Sequence, residues 1–191
     1  MWRVFPLRLR CLLRDGGGGE DEGRMRGEGG GGVGFIVFMD DIVGMDELDE
    51  AVRGLYSKDT KAAYACFLRL KAESEAGNGV YRFWDEFSVM MDSENSYVRT
   101  RGLLLIAANA AWDTEHKMDG VLARYLEHVS DEKPITARQC IQALKGVVSA
   151  RRDLIPQIRE ALENADTGKY NANMRPLIER DIAGVLKMME G

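Results

Sequence analysis

The stretch NSYVRTRGLLLIAANAAW (residues 95–112) sets two arginines, Arg99 and Arg101, at the head of a nearly unbroken apolar run. Its meaning depends on what lies around it. Laid over PITARQCIQAL (134–144) with a shift of 37, YVRTRGLLLIA (97–107) pairs Val98 with Ile135, Arg101 with Arg138, Leu104 with Ile141 and Ala107 with Leu144. A further shift of 42 carries those four onto Leu177, Arg180, Ala183 and Leu186. The spacing of three and four residues is that of a helix face, and its recurrence at a nearly fixed period points to stacked helical units.

The segments before these repeat as well. Leu122, Leu126 and Val129 match Ile158, Leu162 and Ala165, and more loosely Phe83, Phe87 and Met90, while Tyr64, Phe67 and Leu70 begin the series. Breaks fall at SKD, AGNG, SEN, DEK and TGKYNAN, and no period-2 alternation is sustained. Helices are therefore expected at about 46–56, 60–76, 80–92, 95–112, 115–130, 134–149, 153–165 and 174–189. Pro134, Pro156 and Pro176 each fall in a first turn, where the missing N–H costs nothing. The expected fold is all-α: an α-solenoid of about four helix pairs in the HEAT/armadillo size range, each pair covering its apolar face on the next.

Residues 1–44 differ in texture. Arg3, Arg8, Arg10 and Arg14 interrupt the first apolar residues, so no continuous signal-peptide core forms. A glycine-rich, charged tract follows, which has little to bury against the entropy of ordering glycine. It contains Gly27-x-Gly29-x-x-Gly32, formally a dinucleotide-binding pattern, but without the preceding strand and following helix that the chemistry needs. The reading is a disordered leader, or a stretch upstream of a true start at Met39 or Met45, followed by a helical repeat domain over 45–191.

Composition narrows the function classes. The net charge is −5, and residues 45–191 hold 20 basic against 24 acidic side chains, which is no general nucleic-acid or anionic-membrane bias. Three cysteines (Cys11, Cys66 and Cys140) share no pairing or ligand spacing, as expected of a cytoplasmic chain without disulfides. Two histidines, His116 and His128, stand too far apart to share a metal, and no metal or other cofactor is expected. The longest apolar run, 102–112, falls short of the roughly 20 residues that span a bilayer, so no membrane partner is expected either.

NSYVRTRGLLLIAANAAWD, DEKPITARQC and MRPLIERDI resemble a group of small bacterial HEAT-like repeat proteins, and Val98-Arg99 is similar to the Val-Arg pair common in the second helix of HEAT repeats. The resemblance covers the chain from Met45 onward and implies a repeat scaffold. Some members carry the label "SufBD protein", which implies an accessory role in iron–sulfur assembly. The isolated cysteines do not supply the four thiolates that usually hold a cluster.

Second helices of such solenoids usually line the concave, binding surface. There Arg101, Arg138 and Arg180, with Arg99, Lys145, Arg151, Arg152 and Lys187, are candidates to hold an acidic peptide or a phosphate backbone. The structural alternative pairs them with Asp113, Asp131, Glu132 or Asp181 of neighbouring turns. HEAT-like DNA glycosylases use aromatic and carboxylate residues on this kind of surface. Trp84, Phe83, Phe87, Tyr97 and Trp112 beside Asp113 would be the matching set, against the alternative that they are core. Cys66 and Cys140 read as small core hydrophobes. The expected function is non-enzymatic binding of a protein or peptide, with nucleic-acid binding and iron–sulfur assembly as the rivals. Oligomeric state is left open.

Overall fold

The computed structural model describes the backbone of residues 39–190 and the side chains of residues 47–190. The expectations for residues 1–38 of the leader and for the Gly27, Gly29 and Gly32 pattern lie outside those residues. Eight α-helices follow one another: α1 (Met39–Gly54), α2 (Thr60–Ala76), α3 (Trp84–Met91), α4 (Ser96–Ala108), α5 (Lys117–Glu127), α6 (Pro134–Ala150), α7 (Ile155–Glu163) and α8 (Arg175–Met188). Among the described residues there is no strand, so the chain is all-α. Helix α1 begins seven residues before the expected helix start at 46, within the 1–44 stretch read as a leader. Elsewhere the expected helices are shortened by tight 3-10 turns at Asn78–Phe83, Ala110–Trp112, His128–Ser130 and Arg152–Leu154. Such turns tighten helix ends whose last carbonyls and first amides lack helical partners.

Each even-numbered helix starts in the same way. A side-chain oxygen accepts the backbone N–H two residues on: Ser57 from Asp59 (3.2 Å), Ser93 from Asn95 (3.3 Å), Asp131 from Lys133 (2.8 Å) and Asn171 from Asn173 (3.2 Å). Asp59 and Asn95 then cap α2 and α4 by accepting from Lys61 and Tyr97 amides. Pro134 and Pro176 take the first turn of α6 and α8, where φ is already helical. A turn of this kind thus precedes each of α2, α4, α6 and α8.

Counted from the first three turns, and one residue further on after Asn171, the buried positions fall into register. Ala63, Arg99, Ala137 and Ile178 correspond; so do Phe67, Leu103, Ile141 and Ile182, then Leu70, Ile106, Leu144 and Val185, then Ser74, Ala110, Val148 and Met189. All sixteen are buried, and the shifts are 36, 38 and 41. This differs by one residue from the shifts of 37 and 42 expected between the last three pairs. Arg101 therefore matches Gln139 and Arg180, whereas Arg138 matches Thr100 and Glu179. Helix α4 is apolar around most of its circumference, so its pattern alone fits either register. A slip of one residue nevertheless rotates every side chain by about 100°.

Helix α4 packs between α2 and α6, and α6 between α4 and α8. Against this even-numbered layer lie α1 on α2, α3 on α4 and α7 on α8, with α5 beside α7. Trp84, Phe87, Met90 and Met91 of α3 meet Leu103, Leu105 and Ile106 of α4 in one continuous core. Burying an apolar side chain of this size stabilises by roughly 1.5–3 kcal/mol. The α3–α4 crossing is close because of Gly102, where a Cβ would lie 2.7 Å from the Met91 nitrogen and 2.8 Å from the Phe87 carbonyl. Both obstacles are backbone, so neither can step aside. No helix among the described residues is long and apolar enough to cross a membrane.

Gly102→Ala is expected to force α3 and α4 apart. It should cost about 1–3 kcal/mol as overpacking does, lowering the thermal midpoint by roughly 2–4 °C per kcal/mol. A melt followed by circular dichroism measures this, and an unchanged midpoint would show that the crossing is not tight.

Candidate functional site

The charged side chains that the sequence brings forward have gone to different places. Arg99 is buried and grips Asp131 with two nitrogens, Nε to Oδ2 at 2.7 Å and Nη2 to Oδ1 at 2.9 Å. Its Nη1 donates to the Ser93 carbonyl at 2.7 Å and to the Glu94 carbonyl at 3.2 Å. Asp131 also accepts from the Lys133 amide and lies 3.0 Å from His128 Nδ1, and its own carbonyl accepts from Tyr170 Oη at 2.5 Å. Burial alone would raise the Asp131 pKa. The hydrogen bonds from His128, Arg99 and Lys133 outweigh it and hold the carboxyl well below its ordinary 3.8.

A second buried acid serves the other set of turns. Asp113 accepts from the Lys117 amide (2.7 Å) and the Met118 amide (2.9 Å), which caps α5. Tyr81 Oη donates to it at 2.8 Å and Arg151 Nη1 at 3.0 Å. Arg151 also reaches Asp119 and Asp153. Burial and the Asp113 carboxylate together push the Tyr81 hydroxyl far above its usual pKa, so it stays a donor. Tyr81 precedes α3, Asp113 precedes α5 and Arg151 precedes α7, so three successive pairs meet at one carboxylate.

The proposed arginine line divides accordingly. Arg101 is 8% exposed and donates to the Leu55 carbonyl at 2.7 Å, with no acid beside it among the described residues. Burial lowers its pKa. Arg138 is half-buried and bonds Asp181 of α8 at 2.6 Å, joining two even-numbered helices. Lys145, Arg180 and Lys187 are exposed. Of the six residues singled out for partner contact, Arg99 and Arg101 are thus enclosed within the fold. Arg138 is engaged, and three cations remain open to solvent. Asp113, Asp131 and Asp181, but not Glu132, supply the intramolecular pairs.

The aromatic set does not assemble into a platform. Trp84 and Phe87 are fully buried, and Trp112 is half-buried with its Nε1 donating to the Ser74 carbonyl at 2.7 Å. Asp113 is committed to α5, and only Tyr97 of the five aromatics is exposed. Cys140 is buried, and burial drives its thiol pKa far up, which suits a core hydrophobe. Cys66 is half-buried, its sulfur filling the space that a side chain at Gly54 would need. His116 is exposed, while His128 is half-buried against Asp131. Among the described residues no group of three His, Cys, Asp or Glu side chains is placed to hold a metal ion.

What sequence reasoning missed is apolar. Tyr64 (56% exposed), Leu68 (46%), Tyr97 (68%) and Ile135 (59%) point to solvent from α2, α4 and α6. Tyr97 and Ile135 occupy the same place, four residues after the turn oxygens of Ser93 and Asp131. The corrected register would have revealed that match; the shift of 37 paired Ile135 with Val98, a core residue. In comparisons with known proteins, no family model, no curated protein and no solved structure matches the chain.

Asp131→Ala should be severely destabilising, by about 3–5 kcal/mol, because it strands the buried Arg99 guanidinium. Asp131→Asn allows the pH test. The folded-state pKa is depressed, so the carboxylate's contribution is complete above the unfolded value near 3.8 and is lost as pH falls further, through the folded value. Denaturant melts should show the gap between wild type and Asp131→Asn constant near neutrality and shrinking steadily below about pH 4. A gap independent of pH would contradict the pairing.

Proposed function

We propose that the chain is a HEAT-like α-solenoid that binds a protein or peptide segment along the exposed face of α2, α4, α6 and α8. Four helix pairs opened by one repeated turn, a single register of buried positions and an unbroken even-numbered layer support the solenoid reading. The similarity of 95–113, 131–140 and 174–182 to HEAT-like sequences points the same way.

The observation that carries binding is where the fold leaves its apolar surface. Of seven large hydrophobic side chains exposed among the described residues, four share one face of the even-numbered helices: Tyr64, Leu68, Tyr97 and Ile135. Between them the same face is floored by small residues, Ala72, Ala108 and Gly146, at one aligned position. Small side chains let a partner backbone come close, and exposed aromatic and aliphatic ones supply anchors. Single exposed apolar residues are ordinary; a set aligned across adjacent helices is the mark of an interface.

A peptide-display selection on the full chain tests this. Enriched peptides should bind the wild type and lose binding to a Tyr97→Ser, Ile135→Ser variant. The variant's stability should stay within about 0.5 kcal/mol of the wild type per substitution, since both positions are exposed. Failure to enrich any peptide, or enriched peptides indifferent to that variant, would overturn the reading. So would tight retention of single-stranded DNA or RNA at physiological salt without peptide binding.

A further inference from the structure

The even-numbered face is graded in charge as well as in apolarity. Helices α4 and α6, at its centre, contain no acid; of their four basic residues Arg99 and Arg101 are turned inward and Arg138 is paired with Asp181, which leaves Lys145 open to solvent. The acids of a chain of net charge −5 lie elsewhere, including Asp46, Glu47, Asp49 and Glu50 on α1 and Asp85 and Glu86 on α3. Towards α8 the exposed cations gather. Lys145 of α6 lies against Gly184 of α8, where an added Cβ would sit 3.9 Å from its Nζ. Arg180 is one turn before Gly184 and Lys187 is one turn after it.

Neither Lys145, Arg180 nor Lys187 has an acid partner among the described residues. The two acids of α8 are already engaged: Asp181 with Arg138, and Glu179 with Arg175 and Thr167. The apolar anchors lie towards the other side, on α2, α4 and the first turn of α6. Ile135 and Lys145 are ten residues apart on α6, or about 15 Å at 1.5 Å per residue. That distance is within the reach of a short extended or helical segment.

We infer that the segment bound on this face is an acidic, amphipathic peptide. Its aliphatic or aromatic side chains rest on Tyr64, Leu68, Tyr97 and Ile135, and its carboxylates meet Lys145, Arg180 and Lys187. The inference rests on the peptide-binding reading above and adds the partner's chemistry. Charge complementarity selects the occupant: exposed cations without intramolecular partners gain most from carboxylates, and the acid-rich helices α1 and α3 repel an acidic segment. A phosphate polymer would satisfy the cations but leave the apolar half unused.

The same display selection, carried out on wild type and on a Lys145→Glu, Lys187→Glu variant of the full chain, separates the possibilities. Wild type should enrich sequences in which Asp or Glu alternates with Leu, Ile, Phe or Trp. An enriched acidic peptide, made synthetically and labelled, should bind the variant at least about tenfold more weakly, since like charges then face each other. Its binding to wild type should also weaken as salt is raised towards about 1 M, where screening acts within about 3 Å. Peptides enriched without acids, or unaffected by the charge reversal, overturn the acidic-partner inference while leaving peptide binding intact. No enriched peptide overturns the underlying reading as well. Salt-sensitive dimerisation of wild type that the variant abolishes, seen by sedimentation, also overturns it, because the occupant is then a second copy.

Discussion

The bidentate grip of Arg99 on Asp131 is the contact on which the rest of the stack depends. The turn before α4, the turn before α6 and the loop before α8 all meet there: Arg99 binds the Ser93 and Glu94 carbonyls, Asp131 takes the Arg99 guanidinium and the Lys133 amide, and Tyr170 closes on the Asp131 carbonyl. A buried ion pair does not by itself make a protein more stable than an apolar one of the same shape. Its value here is directional. Apolar faces can slide over one another, whereas two parallel N–H···O bonds admit one alignment of neighbouring helix pairs.

Asp113 does the same on the opposite turns, with Tyr81 and Arg151 as its partners. Asp113 caps α5, Asp131 closes the turn before α6, and each accepts an arginine from a neighbouring turn or helix. Local and long-range structure are joined at a single carboxylate. Arg138 with Asp181 adds a third tie between α6 and α8, half open to water and correspondingly less enclosed. Inward-directed arginines thus account for much of the apparent basic site, and what is left outside is a smaller group of cations beside an apolar strip.

Helix number, most helix limits and the all-α class could be read from apolar spacing and from breaks such as SKD and SEN. Helix ends were overdrawn wherever a 3-10 turn took over, because apolar periodicity runs on through both geometries. The repeat was visible, but its register was not. Val98 and Ile135 are alike in sequence, yet one is core and the other is 59% exposed. The signal that sets the register of the first three pairs is polar and small: Ser57, Ser93 and Asp131, chemically different residues doing one job at the turns. Apolar matching passes over them.

Asp113, Asp131 and Asp181 were recognisable from sequence as acids able to meet arginines, since a buried guanidinium demands a carboxylate or carbonyl. Which arginine meets which acid, and that Arg101 meets a carbonyl and no acid, depends on side-chain directions set by helix rotation. By itself, the sequence determined that the chain folds as paired helices, because periodicity and turn chemistry are local properties of the chain. Only the tertiary structure decided which of its arginines and apolar residues face water. Burial is settled by contacts between residues 32 to 46 positions apart, and a single-residue shift between helices exchanges inside for outside.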